Sequence, residues 1–459
     1  MLTYNFSNIG SDSLYEYLYK CIKNDILLGN IRPGEKLPSK RTFAKNLGIS
    51  VITVENAYAQ LVAEGYLYSM PKRGFYAADL EIEDSMRDAV PKEILQVANG
   101  ETSYFADFSS NQTDSEIFPF TIWTRTVRAV LNDNRIQLMI NSPCAGILKL
   151  RSAIAKYLRE FRGMQVLPEQ IIVGAGTEYL HNLLIQLLGS DLVYGVEDPG
   201  YHKIARIYES MKVRYEPVPL DQDGLSVQEL EKRSVDIIHT SPSHHFPTGT
   251  VMPVSRRYEL LGWAAKSDHH YIIEDDYDSE FRFSGAGAPA LRAMDGGRQV
   301  VYMNTFSRTL APGLRLSFMV LPGELAARYR TMHAACTVPG FEQETLRKFI
   351  AGGFLERHIA RMRVIYRARL AALTEAVQTL NLGDIAPCGA GLYALLRVGG
   401  KAPARELAPL AEQAGVYLTR LSDYAVMQND ESRVVLLGFS GMDEEQIRQG
   451  LSALKRAWG

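Results

Sequence analysis

Cysteine is scarce. Among 459 residues there are four, Cys21, Cys144, Cys336 and Cys388, and they stand far apart. This spacing excludes a disulfide framework and a cysteine-based metal site, and it suits a reducing cytoplasm. Long apolar runs are missing too. No stretch of 18 or more apolar residues occurs, so no membrane span is expected. The opening MLTYNFSNIGSDS has neither the basic start nor the apolar stretch of a secretory signal. Nor does either sign of charge dominate, since the formal net charge is −2. What remains is the composition of an ordinary globular protein, long enough for two or three domains.

The near-neutral total conceals a division. Residues 1–77 carry nine Lys or Arg against six Asp or Glu, a net of +3, which leaves −5 on the rest. A small basic-leaning module ahead of a larger acidic body suits a polyanionic partner.

The module has its own grammar. Leu14, Leu18, Ile22, Ile26 and Leu27 recur at helical spacing, and Gly29 can end that helix. Ser39, after Pro38, can cap a short second helix. Gly48 turns the chain, and Ser50 can cap a third helix with Val54, Ala57 or Tyr58, and Leu61 facing inward. Tyr66-Leu67-Tyr68, the basic tip Pro71-Lys72-Arg73-Gly74, and Phe75-Tyr76 read as a two-stranded wing. In such a helix-turn-helix the last helix enters the major groove by its first residues, and the wing touches adjacent backbone. The expected DNA contacts are therefore Ser39, Lys40 and Arg41, then Ser50, Val51 and Thr53, then Lys72 and Arg73. Across residues 11–77 the string LPSKRTFAKNLGIS, with TVENAYAQLVAEGYLY, resembles the winged helix of the GntR superfamily.

Residues 78–105 have weak periodicity and many acids, and read as a linker. From Ala106 the pattern alternates apolar strands with helices, for example IIVGAG with TEYLHNLLIQLLG. That alternation predicts an α/β body with a mostly parallel sheet, its ligand lying beyond the carboxyl ends of the strands.

The loops at those ends carry the chemistry. Gly174-Ala175-Gly176-Thr177 opens a helix whose free amides favour an anion. Tyr201 follows EDPG, where an aromatic can stack on a planar ring. Ser243-His244-His245-Phe246-Pro247-Thr248-Gly249 is polar and ends in a turn. Asp275, in Glu274-Asp275-Asp276-Tyr277, can pair with a protonated ring nitrogen. Thr305, Ser307, Arg308 and Arg315 supply hydroxyls and guanidinium groups fit for a phosphate.

The strings EDPGYHKI, PSHHFPTG, EDDYDSEFRF and SRTLAPGLR give the body, about residues 106–459, a resemblance to the fold-type-I, aminotransferase-class-I domains that bind pyridoxal phosphate. With the winged helix in front, the whole chain resembles the MocR-type regulators of the GntR superfamily. The resemblance implies that Gly176, Thr177, Thr305, Ser307 and Arg315 hold the cofactor phosphate and that Tyr201 stacks on its ring. It implies that Asp275 pairs with the pyridine nitrogen, and that Tyr277, with His244 or His245, lies near the phenolic oxygen.

Two positions depart from the enzymes. The resemblance places the Schiff-base lysine directly after Ser307, where this chain has Arg308. A guanidinium stays charged at neutral pH and is not a nucleophile, so neither covalent attachment nor lysine-mediated proton transfer is expected there. The arginine that grips the substrate carboxylate should stand three residues before Phe439, where this chain has Leu436; Arg433 is three residues further back. Arg308 is compatible with pyridoxal phosphate or a cofactor–amine adduct held without a covalent bond, with another anionic metabolite, or with a substitution in a chain that otherwise has lysine. The expected function is a one-component transcriptional regulator, a cytoplasmic homodimer that reads operator DNA and senses a small molecule. The rivals are a working transaminase with an accessory DNA-binding domain, and a DNA-binding scaffold whose body only dimerises.

Overall fold

The computed structural model describes residue 4 and residues 13–27, 29–71, 73–79, 104–109, 113–133, 136–283, 287–332, 335–386, 389–426 and 432–459. Lys72, Cys388 and nearly all of the expected linker lie outside the described residues. The chain divides into two compact units, Met1–Thr102 and Ser103–Gly459.

The first unit runs α1 (Leu14–Leu27), α2 (Lys40–Leu47), α3 (Val51–Ala63), β1 (Leu67–Met70) and β2 (Gly74–Ala77). Leu18, Ile22 and Ile26 lie inside as the spacing predicts, with Tyr19 beside them; Leu14, the first residue of the helix, is exposed. The Ser39 hydroxyl accepts the Thr42 amide at 3.2 Å and starts α2. Gly48, at φ +70°, closes α2 in the left-handed conformation that favours glycine. Ser50 repeats the cap two residues later, accepting the Thr53 amide at 3.1 Å. Between the two caps the chain has no room to drift, so α3 leaves α2 at a set angle. Val54, Ala57, Tyr58 and Leu61 of α3 are fully buried against Phe43 and Leu67. The strands pair antiparallel from Leu67↔Ala77 to Met70↔Gly74, and Tyr68 stacks on Tyr76 with centroids 5.7 Å apart.

The second unit opens with β3 (Ala106–Asp107). Its central sheet is built from β4 (Ile171–Gly174), β5 (Tyr194–Asp198), β6 (Tyr215–Asp221), β7 (Gly224–Leu225), β8 (Ile237–Thr240), β9 (Tyr271–Asp275), β10 (Val300–Thr305) and β11 (Ser317–Val320), in the order β4-β11-β10-β9-β8-β5-β6-β7. The run from β10 through β9, β8 and β5 to β6 is parallel, while β11 and β7 pair antiparallel with their neighbours. Every residue of β4, β8, β10 and β11 is buried, as a sheet covered by helices on both faces requires. The order reverses at β5: the chain steps outward to β6, then returns to lay β8 on the other side. A crevice opens at the carboxyl ends of strands flanking such a reversal.

Beyond the sheet, β12 (Gly383–Ile385), β13 (Tyr393–Val398), β15 (Thr419–Arg420) and β16 (Val434–Gly438) form an antiparallel sheet in the order β12-β13-β16-β15, and β14 (Val416–Tyr417) pairs parallel with β3. Leu373, Ala376 and Val377 of the helix Phe354–Thr379 share one core with Ile447, Leu451 and Leu454 of the helix Glu444–Trp458. Among the described residues no helix is long and apolar enough to cross a membrane, and no cluster of His, Cys, Asp and Glu is arranged to hold a metal ion.

Candidate ligand pocket and nucleic-acid interface

A cavity of about 490 Å³ lies at the carboxyl ends of these strands. Of the ten ligand contacts expected from the sequence, nine line it: Gly176, Thr177, Tyr201, Asp275, Tyr277, Thr305, Ser307, Arg308 and Arg315. They stand at or after the carboxyl ends of four strands, β4, β5, β9 and β10, so the sheet itself brings together residues as distant as 176 and 315.

One wall is a cradle for an anion. The helix Thr177–Leu188 begins directly after Gly176, which has φ +97°. A β-carbon on Gly176 would meet Nη2 of Arg315 at 2.4 Å. Arg315 in turn adopts φ +50°, an uncommon conformation for a side chain of its size. Glycine is thus required on one side, and a strained arginine is held on the other. Between them lie unpaired helix amides and a fixed positive charge, the partners a phosphate takes. Thr305 organises the rest. Its hydroxyl accepts the Ser307 amide at 3.1 Å and the Ser317 hydroxyl at 2.9 Å, and donates to Ser307 Oγ at 2.9 Å.

The opposite wall carries the acid. Asp275 is the last residue of β9 and is buried, yet its Oδ1 has no hydrogen-bond partner. Its Oδ2 lies 3.5 Å from Nε2 of His239, a buried histidine on the neighbouring β8. A buried carboxylate oxygen without a donor is costly; a protonated ring nitrogen supplies the donor it lacks. The residues present therefore fit a phosphorylated pyridine such as pyridoxal phosphate. Such a group would set its phosphate in the cradle and its protonated ring nitrogen at Asp275, with Tyr201 against the ring.

Tyr277 closes this wall. Burial pushes its phenol well above the usual range, with Arg308 opposing the shift. Its hydroxyl lies 3.2 Å from His244 Nδ1, which is 2.8 Å from Asp278 Oδ2. Tyr201 is likewise raised by burial and opposed by Arg308. The Arg308 guanidinium is thus near enough to both phenols for its charge to favour their ionised forms.

His245, the tenth expected contact, does not line the cavity. Its Nδ1 is 2.8 Å from Thr248 Oγ1 and its Nε2 is 3.3 Å from Glu197, which turns the ring into the protein. Glu197 also accepts Thr240 Oγ1 and the Ser241 amide; burial alone would raise its pKa, but His245 and these donors hold it low. The cavity wall is instead Phe246, whose ring meets that of Tyr201 edge to face at 5.7 Å. Phe246 stands between His245 and Pro247 in the loop that the sequence singles out, where the histidines and not the phenylalanine were the expected contacts. His239 and Arg206 were also missed, while Lys203, two residues after Tyr201, is from the sequence only a poor substitute for the absent lysine. Lys203 and Arg206 line the cavity from one face of the helix His202–Ser210, a face that ordinary surface charge would explain equally well.

Neither residue of the expected carboxylate grip reaches the cavity. Leu436 is fully buried in β16, and Arg433 donates through Nη1 to the Gly400 carbonyl.

In the first unit, Val51 and Ile52 are exposed at the start of α3 beside the Ser50 cap. Arg41 and Arg73 are exposed as expected. Lys40 is engaged within the unit: its ammonium pairs with Glu55 of α3 at 2.7 Å and lies 5.3 Å from the centre of the Phe75 ring in β2.

Comparison with known proteins agrees with this division. Residues 14–77 match the family described as bacterial regulatory proteins, gntR family, and residues 106–454 match aminotransferase class I and II. The chain is 38% identical to the uncharacterized HTH-type transcriptional regulator YdeL of Bacillus subtilis, over 97% of this chain and 96% of that one. It is 30% identical to the probable rhizopine catabolism regulatory protein MocR of Rhizobium meliloti, over 97% and 94%. It is also 30% identical to the HTH-type pyridoxine biosynthesis transcriptional regulator PdxR of Corynebacterium glutamicum, over 97% and 96%. Among solved structures, the kynurenine aminotransferase of Pyrococcus horikoshii superposes with a TM-score of 0.69 at 24% identity, over 82% of this chain and 98% of that one, a likeness of fold. With a GntR winged helix in front of a fold-type-I aminotransferase domain, and with relatives of the same composition along nearly its whole length, the chain belongs to the MocR-type regulators of the GntR superfamily.

Proposed function

We propose that this protein is a one-component transcriptional regulator whose body binds pyridoxal phosphate, or a closely related phosphorylated pyridine, without a covalent bond, and that this ligand sets its affinity for operator DNA. The observation that carries the reading is the pairing, across one cavity, of the Gly176–Arg315 anion cradle with the unpartnered Oδ1 of buried Asp275. A dimerising scaffold has no use for that pair. The relative PdxR, named for pyridoxine biosynthesis, supports the ligand class. Arg308 lines the cavity where the family resemblance calls for the Schiff-base lysine, and a guanidinium cannot attack an aldehyde. Amino-group transfer is therefore outside the proposed function. Ligand binding would shift the populations of two arrangements of the protein, here a homodimer reading a repeated operator.

One observation favours a working transaminase instead: Lys203 lines the same cavity. A single experiment separates the readings. The full chain is titrated with pyridoxal phosphate while melting temperature is followed, then reduced with borohydride and mapped by peptide mass. The proposal expects a rise in melting temperature with no modified peptide. A pyridoxyl group on the peptide containing Lys203 would overturn the non-covalent reading.

A further inference from the structure

We propose that α3 recognises A·T pairs in the major groove, reading thymine by its methyl group through Val51 and Ile52, and adenine through the carboxamide of Asn56. This inference rests on the reading of the first unit as a module that binds operator DNA. It begins from what α3 lacks. The helix, VITVENAYAQLVA, contains neither lysine nor arginine. It therefore cannot make the bidentate contact to guanine O6 and N7 that is the commonest specific contact in the major groove. Sequence must be read with other groups.

Ile52, Glu55, Asn56, Ala59 and Ala63 are exposed at helical spacing, on the side of α3 away from the buried Val54, Ala57, Tyr58 and Leu61. Ile52 is 68% exposed and Val51, beside it, 42%. Aliphatic groups this open gain from being covered, and the apolar feature that a base edge offers in the major groove is the thymine methyl. The polar groups near them are committed. Ser50 Oγ accepts the Thr53 amide and lies 2.7 Å from Thr53 Oγ1. Glu55, an acid of the kind that accepts from cytosine, pairs with Lys40 at 2.7 Å. Asn56 differs: among the described residues its side chain has no hydrogen-bond partner. A carboxamide donates and accepts side by side, which is the pattern that adenine N7 and N6 complete. Asn56 follows Ile52 by about 6 Å along the helix axis, one to two base-pair steps of about 3.4 Å. Ala59 and Ala63, farther along the same face, add no bulk to hold the helix away from the bases.

The test uses the full-length protein and a pool of duplexes with a randomised core, with pyridoxal phosphate absent and present. Duplexes retained through successive rounds are expected to fix neighbouring A·T pairs in each repeat. In the enriched duplex, uracil at a fixed thymine removes only the methyl, and 7-deazaadenine at a fixed adenine removes only the N7 acceptor. Both changes are confined to the major groove. Uracil should weaken binding about fourfold for each methyl read, and 7-deazaadenine about fivefold or more. The double variant Val51→Ala, Ile52→Ala should abolish the uracil effect, and Asn56→Ala the 7-deazaadenine effect, with melting temperatures unchanged because all three side chains are exposed. Uracil duplexes bound as tightly as thymine duplexes overturn the inference, as do base effects that persist undiminished in the variants. Duplexes retained with only G·C pairs fixed, or with none fixed, also overturn it and leave the DNA-binding reading standing. If no duplex is retained at low salt by a protein that still melts cooperatively, with or without pyridoxal phosphate, the DNA-binding reading itself is wrong and the inference falls with it.

Discussion

Nη2 of Arg315 lies 2.4 Å from where a β-carbon on Gly176 would stand. The two residues are 139 positions apart, yet neither could change alone. Gly176→Ala would add that carbon at φ +97° and push the guanidinium out of the cradle. A loss of about 1–3 kcal/mol of stability is expected from the backbone alone. The pyridoxal phosphate-induced rise in melting temperature should vanish as well. A variant that keeps the full ligand-induced rise would remove Gly176 and Arg315 from the phosphate site.

Asp275→Ala addresses the other end of the ligand. A hydrogen bond to a charged group contributes about 1.5–3 kcal/mol, so affinity for pyridoxal phosphate should fall tenfold or more. Inorganic phosphate, which needs only the cradle, should compete as well in this variant as in the unaltered protein. Equal pyridoxal phosphate affinity in both proteins would show that the ring nitrogen does not meet this carboxylate.

On the far face of the same strand lies a buried acidic group. Glu280 accepts Tyr157 OH at 2.6 Å and burial raises its pKa to about 7; Glu274 is raised to about 7 by burial and then by Asp276. Facing them are Arg162, which pairs with Asp276 at 2.9 Å, and the Tyr302 hydroxyl, which donates to Asp276 at 2.6 Å. A carboxyl whose folded pKa exceeds its unfolded value binds protons more tightly in the native state. It therefore stabilises the fold below about pH 4.5 and loses that contribution as pH rises toward 7. Replacing Glu280 by Gln removes the penalty. Relative to the unaltered protein, Glu280→Gln should gain stability as pH is raised from 5 to 7.5, on the order of 1 kcal/mol or more. Parallel melting curves across that range would refute the assignment.

For DNA, Arg41→Ala and Arg73→Ala should each weaken binding evenly across sequences and reduce the slope of log affinity against log salt by about 1. Lys40→Ala should change the slope less, since Lys40 already pairs with Glu55. Ser50→Ala should cost about 1 kcal/mol of stability through the lost cap. A full unit of slope lost in Lys40→Ala would mean that the ion pair opens on DNA.

Much of this was legible in the order of residues. Val54, Ala57, Tyr58 and Leu61 announce the inner face of α3 by spacing alone, and the alternation from Ile171 to Val320 announces the sheet. Asp275 and Tyr277 were found through the resemblance carried by EDDYDSEFRF; both line the cavity, while Glu274 and Asp276 are buried and do not. His245 was not readable in this way. In a loop with two adjacent histidines, the facing of each ring is decided by an acid far along the chain, Glu197 for His245 and Asp278 for His244, 48 and 34 positions away. The His239–Asp275 contact is likewise set by the pairing of β8 with β9, which no local pattern encodes.

Lys40 has one more consequence. By engaging Glu55 on α3 and Phe75 in β2, a single side chain from α2 ties the two helices and the wing into one reading head. Such a head gives an effector little to deform. On the proposed reading of a ligand-sensing dimer, signals from the body would travel as a change in where two unaltered heads are held along the double helix, and the length of the gap between operator repeats, rather than their lettering, would be the variable under metabolic control.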